Sequence, residues 1–380
     1  MAESTAPEQV PEAPPSPPLE PREIDTAKIK DALKNRLPAR LKMNLKICAH
    51  CALCADTCHF YLAHDKDPHM VPANKVKPLL ELLRKKGQVD FDFMKRMYDT
   101  AYGECTMCRR CSLYCPFGID ISYLIMTVRR ILNLLGVVPQ YLQDTTNSHA
   151  ATMNQMWVQQ DDWIDTLMWQ EEDAQAELAG TRIPLDKVGA EIMYSVIGPE
   201  PKILAQLIAN MAIIFKVAGA DWTMPSADGW DNSNMAMYSG DFETMGRVER
   251  LHWERAMQLK VKRVVMGECG HAYRGAVYDG PRWLGWTEPP IPMVHAVEYY
   301  YELLKSGRIK IARKIEEPVT VQDPCNIVRG RGLHDKLRYV VNEICEDFRD
   351  MDPRYEHNYC CQAGGGLINC GPPWKLSRMK

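Results

Sequence analysis

The chain has 380 residues, 46% of them hydrophobic, which is enough for two or three domains with buried cores. Its formal net charge of -3 is too small to indicate binding to nucleic acid. The first residues, MAESTAPEQV, lack the charged and apolar regions of a secretory signal. We therefore expect a cytoplasmic chain, in which the fourteen cysteines stay reduced and serve as metal ligands rather than in disulfides.

The N-terminal segment is rich in proline. Residues 1–22 contain seven prolines and four glutamates and almost no large apolar side chains. Such a segment cannot bury enough apolar surface to offset the entropy lost on ordering. We predict a disordered Pro-rich tail over residues 1–25.

A basic helical segment follows the tail. Between residues 26 and 46, the single acid Asp31 stands among seven cations: Lys28, Lys30, Lys34, Arg36, Arg40, Lys42 and Lys46. One interpretation is a solvated helix face. The other is a docking strip for an acidic partner, or for lipid headgroups beside a membrane subunit. The sequence leaves both open.

The strongest signal is a repeated run of four cysteines with the spacing C-x2-C-x2-C-x3-C. In the bacterial two-cluster pattern, three closely spaced thiolates bind one [4Fe–4S] cluster and the distant fourth binds the other. We therefore predict one cluster on Cys48, Cys51, Cys54 and Cys115, and a second on Cys105, Cys108, Cys111 and Cys58. Two zinc sites are the alternative, although zinc ligands are usually split into two separated pairs.

Helical patterns surround the second cysteine run. Pro72 to Gly87 has helical periodicity and a glycine stop, and ISYLIMTVRRILNLLGVV predicts one amphipathic helix ending at Gly136. Residues 150–178 are predicted to be helical, and we expect their tryptophans, Trp157, Trp163 and Trp169, to pack in the interior, with a partner surface as the alternative. The apolar stretch 203–220 is interrupted by charge and is short for a bilayer, so it predicts a buried helix.

The pattern changes near residue 181. Strands are predicted over 190–198, 261–270 and 318–326, with helices near 202–218 and 294–306. Strands that alternate with helices indicate parallel α/β layers. The first and third strands each open a strand–helix unit, which indicates a duplication.

The predicted fold class is therefore α + α/β. An α-helical two-cluster ferredoxin domain spans residues 26–150 and a helical linker spans 151–180. A duplicated α/β domain covers 181–380.

A second group of cysteines lies near the C terminus. Cys325 stands in QDPCN, and Cys360 and Cys361 are adjacent in NYCCQAGGGLINC, where the glycine run lets backbone approach a bulky group closely. Cys269, at the end of the strand over 261–270, is a weaker candidate for the same site. His271 either hydrogen-bonds a sulfur of that site or packs in the interior.

The remaining candidates support that site or the core. Arg329 and Arg331 flank Cys325, where they either lower the pKa of a thiol or are simply solvated. Cys345 has helical spacing in VVNEICEDF and is predicted to be a buried apolar residue. Cys370 ends the glycine loop in a supporting or structural role.

Together these motifs resemble a known family. The two cysteine runs and their long helical insert resemble the α-helical ferredoxin domain of heterodisulfide reductase, succinate dehydrogenase and glycolate oxidase iron–sulfur subunits. The segments GECGHAYR, QDPCNIVRGRG, YCC-x-AGGGLINCGPPWK and CPFGID are similar to heterodisulfide reductase D-type, CCG-domain proteins. Within that group the chain is most similar to the TmcB and DsrK subunits of sulfate-reducer membrane redox complexes.

The resemblance implies a third, noncubane [4Fe–4S] cluster on Cys325, Cys360 and Cys361 that acts on disulfides. The chain would then be a heterodisulfide reductase-like oxidoreductase subunit. It departs from the family pattern at Gln362, which replaces the glycine of CCG. The closing C-x-x-C of the motif would fall beyond Lys380, so the CCG-type domain is expected to be incomplete at its C-terminal end.

The resemblance also implies partners and a location. We expect a subunit held peripherally on the cytoplasmic side of the inner membrane, exchanging electrons with a b-type cytochrome and a c-type cytochrome of the same complex. A small disulfide-bearing sulfur-carrier protein is the implied substrate.

Two other functions stay open. One is a pure electron relay without a catalytic noncubane cluster. The other is the iron–sulfur subunit of a glycolate- or lactate-type oxidoreductase. That enzyme would need a flavin partner, since no G-x-G-x-x-G motif is present.

Overall fold

The computed structural model describes residues 19–35, 39–367 and 370. Residues 1–18, most of the predicted Pro-rich tail, lie outside the described residues. The described chain is largely helical and contains one small parallel sheet.

Ten helices precede the sheet in the described chain. They are α1 (Thr26–Asn35), α2 (Ala39–Ile47), α3 (His59–Ala63), α4 (Pro72–Lys75), α5 (Lys77–Arg84), α6 (Phe91–Gly103), α7 (Arg110–Leu113), α8 (Ile121–Leu134), α9 (Gln140–Thr152) and α10 (Gln160–Glu177). A short 3-10 turn, Pro68–Met70, precedes α4. The helices predicted within 26–46, 121–136 and 150–178 are confirmed where the chain is described. Of the three tryptophans in residues 150–178, only Trp163 is buried; the expected burial of Trp157 and Trp169 is wrong, because both side chains are exposed.

Local sequence explains where these helices begin and break. Asp90 and Asp120 cap α6 and α8 by accepting hydrogen bonds from backbone N–H groups of the first turn. The single helix predicted from Pro72 to Gly87 is wrong in detail, because the chain breaks at Val76. Pro78 has no N–H to donate and its ring would clash with the carbonyl four residues earlier, so α5 must start anew.

The first hydrophobic core surrounds α8. This helix packs against α1, α4 and α6, and Leu124, Ile125 and Leu132 in it are fully buried. The two cysteine runs lie on either side of α3–α6 in the chain and adjoin the same core, which therefore fixes both loops.

The sheet has four parallel strands in the order β2-β1-β3-β4. They are β1 (Ile192–Ser195), β2 (Trp222–Thr223), β3 (Arg263–Met266) and β4 (Met293–His295). All four residues of β1 are buried, as expected for a parallel strand covered on both faces. The strands predicted within 190–198 and 261–270 are confirmed.

The helices of this part are α11 (Gln206–Val217), α12 (Asn234–Ser239), α13 (Phe242–Gln258), α14 (Gly270–Arg274), α15 (Gly280–Trp283), α16 (Ala296–Lys305), α17 (Val328–Arg331) and α18 (His334–Ile344). A π-helical turn, Gly275–Asp279, joins α14 to α15, and a 3-10 turn, Tyr355–His357, follows α18. The helices predicted near 202–218 and 294–306 are confirmed as α11 and α16.

Two further cores cover the two faces of the sheet. Tyr194 and Val265 point into a core with Trp163, Phe215 and Tyr299, which come from α10, α11 and α16. On the other face, the neighbouring strand residues pack with Trp253 of α13 and Tyr273 of α14. This alternation is the period of two that a strand imposes.

The helix α12 ties the two halves of the chain together. Its Met237 and Tyr238 belong to the core around α8, and the Tyr102 hydroxyl donates a hydrogen bond to the Ser239 carbonyl at 2.7 Å. The core around α8 therefore includes residues from both halves of the chain.

The strand predicted over 318–326 is wrong. In the described chain, Val319 makes only an isolated bridge to Phe348, and Ile315 makes another to Cys345. Pro318 and Pro324 lack the N–H groups that a strand would donate. The predicted duplication of the α/β unit therefore stays a prediction.

The apolar stretch from residue 203 to 220 contains α11, a 12-residue helix. Its Ile208, Ala212 and Phe215 are fully buried, which confirms the predicted buried helix. Among the described residues, no helix combines the length and the apolar character needed to cross a membrane.

Candidate functional site

The two cysteine runs share one backbone conformation. In each run the residues two and four positions after the first cysteine have left-handed backbone: His50 and Ala52 in one, Met107 and Arg109 in the other, with φ between 54° and 64°. Each such residue costs about 1–2 kcal/mol. This matched pattern curls both loops, and it shows that the sequence repeat is also a structural repeat.

The first run lines a small cavity together with the last cysteine of the second run. Its lining includes Cys48, Cys51, Cys54 and Cys115, with Phe117, Ile119 and Ile121 as apolar walls. Burial raises the pKa of the Cys54 thiol, and the nearby Cys48 and Cys115 raise it further. Cys115 thus lies with the first run.

The second run lines its own cavity together with the last cysteine of the first run. Cys58, Cys105, Cys108 and Cys111 all contribute, beside Phe60 and Ile121. Cys111 also borders the first cavity, but the thiols that most affect it are Cys108 and Cys105. The exchange of Cys58 and Cys115 between the two runs agrees with the predicted interlocked ligand sets.

Burial disfavours the thiolate forms of Cys105 and Cys111 in the second cavity. It raises the pKa of Cys105 to about 11 and that of Cys111 well above its usual value. A cluster would have to displace these thiol protons on binding, because iron binds the thiolate form.

A buried cation adjoins the second cavity. Lys75 of α4 is 4% exposed, its Nζ lies 3.7 Å from Cys58 Sγ, and it donates a hydrogen bond to the Glu104 carbonyl. It also lies 4.8 Å above the Phe60 ring. Sequence reasoning missed Lys75, because in the sequence it is one of several lysines in a helical insert.

The C-terminal cysteines lie against the second cavity. Cys360 is the centre of this group, since the neighbouring thiols of Cys108, Cys325 and Cys361 have the largest effects on its pKa. These thiols hold the pKa of Cys360 well above its usual value, whereas the neighbouring Cys360 lowers the pKa of Cys361 to about 6. The structure therefore brings together the three cysteines that the sequence predicted.

Cys108 links the two sites. Its pKa is held well below the usual value, first by the neighbouring Cys360 thiol and further by His59 and Arg329. His59, which follows Cys58, is buried beside these thiols; the sequence drew attention to it only as a departure from the usual proline. A buried imidazole among thiols has no signature in spacing alone.

Arg329 holds the loops of both sites in place. Its guanidinium donates to the Cys108 carbonyl at 2.6 Å, to the Glu356 carbonyl at 2.7 Å and to both oxygens of Asn358. After the larger effects of Cys360 and His59, Arg329 also lowers the pKa of Cys108. The Arg331 guanidinium lies 5.6 Å above the Tyr273 ring.

Comparison with known proteins agrees with this geometry. Residues 44–119, which contain all eight N-terminal cysteines, match the family model of the 4Fe-4S dicluster domain. An Hdr-like menaquinol oxidoreductase iron-sulfur subunit of Archaeoglobus fulgidus is 24% identical over 91% of this chain and 71% of its own. A chain of the dihydromethanophenazine:CoB--CoM heterodisulfide reductase of Methanosarcina mazei is 26% identical over 86% of this chain and 79% of its own.

The chain is a homologue of heterodisulfide reductase-like iron–sulfur subunits. The sequence resemblance is thereby confirmed at the level of this group. No solved structure matches the chain. The oxidoreductase and iron–sulfur character follows from these relatives and from the matched domain.

The residues of this heterodisulfide reductase-like chain fit iron–sulfur clusters at the two N-terminal cavities. With Cys111 assigned to the second cavity, each cavity supplies four thiols, which is the donor set that a [4Fe–4S] cluster takes. The C-terminal group fits less completely, because Cys108 is already a ligand candidate of the second cavity. Among the described residues, no three His, Cys, Asp or Glu side chains surround a single metal-ion position.

The glycine run after Cys361 lets backbone approach backbone. A Cβ on Gly365 would meet the Thr106 carbonyl at 2.7 Å, and one on Gly364 would meet His271 Nε2 at 3.1 Å. The predicted close approach is therefore present, and it brings the run against the loop of the second cavity. Gln362 has a φ of 65°, the left-handed conformation that the family's glycine would adopt without strain.

Cys269 occupies a neighbouring position rather than the centre. It follows β3 and caps α14; its sulfur lies 3.8 Å from Asn234 Nδ2 and 3.9 Å from His271 Nδ1. In the described residues no hydrogen bond joins it to Cys360. A Cβ on Gly270 would meet Asn326 Cβ at 3.3 Å, so the residue after Cys269 packs against the residue after Cys325.

The two remaining cysteines lie in the interior. Cys345 is 3% exposed at the end of α18, as predicted for a buried apolar residue. Cys370 is fully buried and donates to the Gly366 carbonyl at 3.4 Å, which fits the structural role predicted for it.

Proposed function

We propose that this chain carries electrons through two [4Fe–4S] clusters to or from a third redox site formed by Cys325, Cys360 and Cys361. Cys48, Cys51, Cys54 and Cys115 would hold the first cluster, and Cys58, Cys105, Cys108 and Cys111 the second. In this proposal residues 26–150 form the cluster-binding domain, 151–180 the linker and 181–380 the CCG-type domain. When bound, the cubane clusters supply one-electron transfer.

One observation carries the proposal: the Arg329 guanidinium donates hydrogen bonds to the Cys108 carbonyl at 2.6 Å and to the Glu356 and Asn358 carbonyls at 2.7 Å. One side chain thus fixes the loop of a ligand candidate of the second cluster to the segment that leads into Cys360. Among the neighbouring thiols, Cys108 also has the largest effect on the pKa of Cys360, which supports placing the two sites side by side.

The reaction proposed for the third site is disulfide reduction. One disulfide takes up two electrons and two protons and yields two thiols, so a redox partner must supply two electrons in single steps. Methanosarcina relatives are named as parts of a CoB--CoM heterodisulfide reductase. We extend a disulfide substrate to this chain, with a noncubane cluster on Cys325, Cys360 and Cys361, and we include Cys269 as a weaker candidate.

The proposed setting is a membrane-associated complex. The relatives are named as subunits of a menaquinol oxidoreductase and of a heterodisulfide reductase. We propose that this chain lies peripherally on the cytoplasmic side and exchanges electrons with b-type and c-type cytochrome subunits. A sulfur-carrier protein would bring the disulfide, in a complex of the Tmc or Dsr type.

Electron paramagnetic resonance tests the third site. The protein, reconstituted with iron and sulfide, is oxidised with and without dithiothreitol as a dithiol probe. We expect a dithiol-dependent signal beyond those of the cubanes, which Cys360→Ala abolishes. The matched control is Cys345→Ala, which removes a buried thiol outside the site and should leave the signal unchanged.

Two outcomes separate the proposal from its alternative. A signal that needs Cys360 but not Cys345 supports a third redox site. If the unmodified protein shows both cubane signals and no dithiol-dependent signal, the chain is a pure relay and the proposed disulfide chemistry is wrong.

A further inference from the structure

A large groove lies beside the first cysteine run, between α1, α2 and α5. It has a volume of about 840 Å³. Its apolar floor consists of Leu33, Leu45, Leu80 and Leu83. One end of the groove is formed by Cys48 and His50, so it reaches the first cluster-binding loop.

The rim of the groove is strongly basic. Six cations line it and no acid does: Lys30, Lys34, Lys42, Lys46, Arg84 and Lys86. All six are exposed, and within the described residues none has a carboxylate within salt-bridge distance. Six like charges around one groove repel one another, so a binding partner with negative charge would reduce this electrostatic repulsion.

We propose that this groove binds an acidic, amphipathic helix of the protein that exchanges electrons with the first cluster. The inference rests on the proposed function in one respect: it requires that Cys48 is a ligand of the first cluster. An amphipathic helix fits because it presents an apolar face to the leucine floor and acidic flanks to the cationic rim. Its bound position would bring the partner next to Cys48.

The shape of the site favours a helix over an anionic lipid surface. A protein that binds a bilayer surface presents a flat cationic face to it, whereas these leucines line a groove between helices. Leu45 is 8% exposed. Headgroups resting on the rim would not reach it, and only an inserted side chain would cover it.

Binding of a designed peptide tests this proposal. The probe is a fluorescent helix of about 16 residues with leucines at i, i+3, i+4 and i+7 spacing and glutamates on both flanks, designed on the spacing of an apolar helix face. A second peptide has the same composition in scrambled order. With the cluster-loaded full chain, we expect the helix to bind at least about tenfold more tightly than the scrambled peptide, with affinity falling as salt increases.

Charge reversal on the rim provides the specific test. The triple variant Lys34→Glu, Lys46→Glu, Arg84→Glu should weaken peptide binding by about tenfold or more. The matched control carries Lys262→Glu, Lys310→Glu and Arg313→Glu, which make the same change in net charge at exposed positions elsewhere. It should alter the affinity for the peptide by less than about twofold. Equal losses in both variants would mean that only overall charge matters and would overturn the proposal.

Carbodiimide cross-linking shows what occupies the groove. Cross-links from probe glutamates to Lys30, Lys34 or Lys42 support the proposal. Cross-links from these lysines to the chain's own Glu3, Glu8 or Glu12, in the presence of peptide, would assign the groove to the N-terminal segment and overturn it. Binding to phosphatidylglycerol vesicles that the rim variant abolishes, without peptide binding, would also overturn it. Cluster loss in the EPR spectrum would instead count against the proposed function.

Discussion

The Nζ of Lys75 lies 3.7 Å from the Sγ of Cys58, so a buried ammonium touches one of the eight cysteines that the structure gathers around the two cavities. The carbonyl of Glu104 accepts a second hydrogen bond from the same Nζ, and Phe60 lies beneath it. A positive charge at this distance favours electron gain by any group that Cys58 ligates, because reduction adds negative charge.

Replacement of this lysine should change a reduction potential. In Lys75→Met we expect the midpoint potential of the second cluster to fall by about 40–90 mV. This corresponds to a screened Coulomb energy of about 1–2 kcal/mol, at about 59 mV per tenfold change in the equilibrium constant. Redox titration followed by EPR measures the two clusters separately. The matched control is Lys77→Met, an exposed lysine just beyond the same helix, which should shift neither potential by more than about 10 mV. A fall of equal size in both clusters would contradict a local effect.

The exchange of Cys58 and Cys115 between the runs predicts a crossed pattern of cluster loss. Cys115→Ser should leave the same residual EPR spectrum as Cys51→Ser, because both thiols line the first cavity. Cys58→Ser should match Cys105→Ser instead, because both line the second.

The measurement is the EPR spectrum of each dithionite-reduced variant, together with its iron content. A residual spectrum of Cys115→Ser that matched Cys105→Ser would show that each run binds its own cluster. The interlocked assignment would then be wrong.

Gln362 predicts a stabilising substitution. Its left-handed backbone, φ 65°, strains a side chain with a Cβ, and its amide oxygen is buried without a hydrogen-bond partner in the described structure. Gln362→Gly should raise the free energy of unfolding by about 1 kcal/mol. This value is the backbone strain that glycine relieves in the fold, minus the extra conformational entropy that glycine gains on unfolding.

Chemical denaturation followed by circular dichroism measures this effect. The neighbouring Ala363→Gly is the control: Ala363 has no positive φ, so glycine there brings only the entropy cost and should destabilise by about 0.5–1 kcal/mol. Destabilisation by both variants would show that the backbone at residue 362 is not strained.

The sequence predicted most of the site and less of the fold around it. The two ligand sets followed from spacing alone, because thiolates around a cubane need short, fixed intervals and one remote ligand. The grouping of Cys325 with Cys360 and Cys361 followed from family resemblance. The contact of that group with Cys108 could not be predicted, since it depends on how α12 and the glycine run pack between the two halves of the chain.

Buried charges were the main omission. Lys75 and Arg129 are 4% and 0% exposed, yet each occurs in a helix whose pattern predicts polar residues on the surface. Arg129 donates hydrogen bonds to the carbonyls of Ala101, Tyr238 and Cys105, so its burial depends on residues distant in sequence. The strand predicted over 318–326 failed for a similar reason: its composition is β-rich, but a strand needs a neighbouring strand to pair with.

A buried acid in α13 predicts a pH-dependent stability. Glu249 is 1% exposed and accepts hydrogen bonds from Ser233 Oγ at 2.8 Å and Trp253 Nε1 at 2.7 Å. Burial nevertheless raises its pKa to about 7. Because the folded-state pKa exceeds the unfolded value of 4.5, the protonated acid favours the fold below pH 4.5. That contribution is lost as the pH rises to about 7.

Glu249→Gln should remove this dependence, since the amide resembles the protonated acid. Relative to the unmodified protein, the variant should gain up to about 3 kcal/mol between about pH 4.5 and 8, at about 1.4 kcal/mol per pKa unit. Denaturant titrations at about pH 5, 6, 7 and 8 measure the difference in unfolding free energy between the variant and the unmodified protein. Other buried groups such as His252 titrate in both proteins, so their contributions cancel in this difference. Glu254→Gln, an exposed acid on the same helix, should show a flat difference. If the difference for Glu249→Gln is also independent of pH, Glu249 is ionised in the fold. Its two hydrogen-bond donors would then stabilise the carboxylate by more than burial destabilises it.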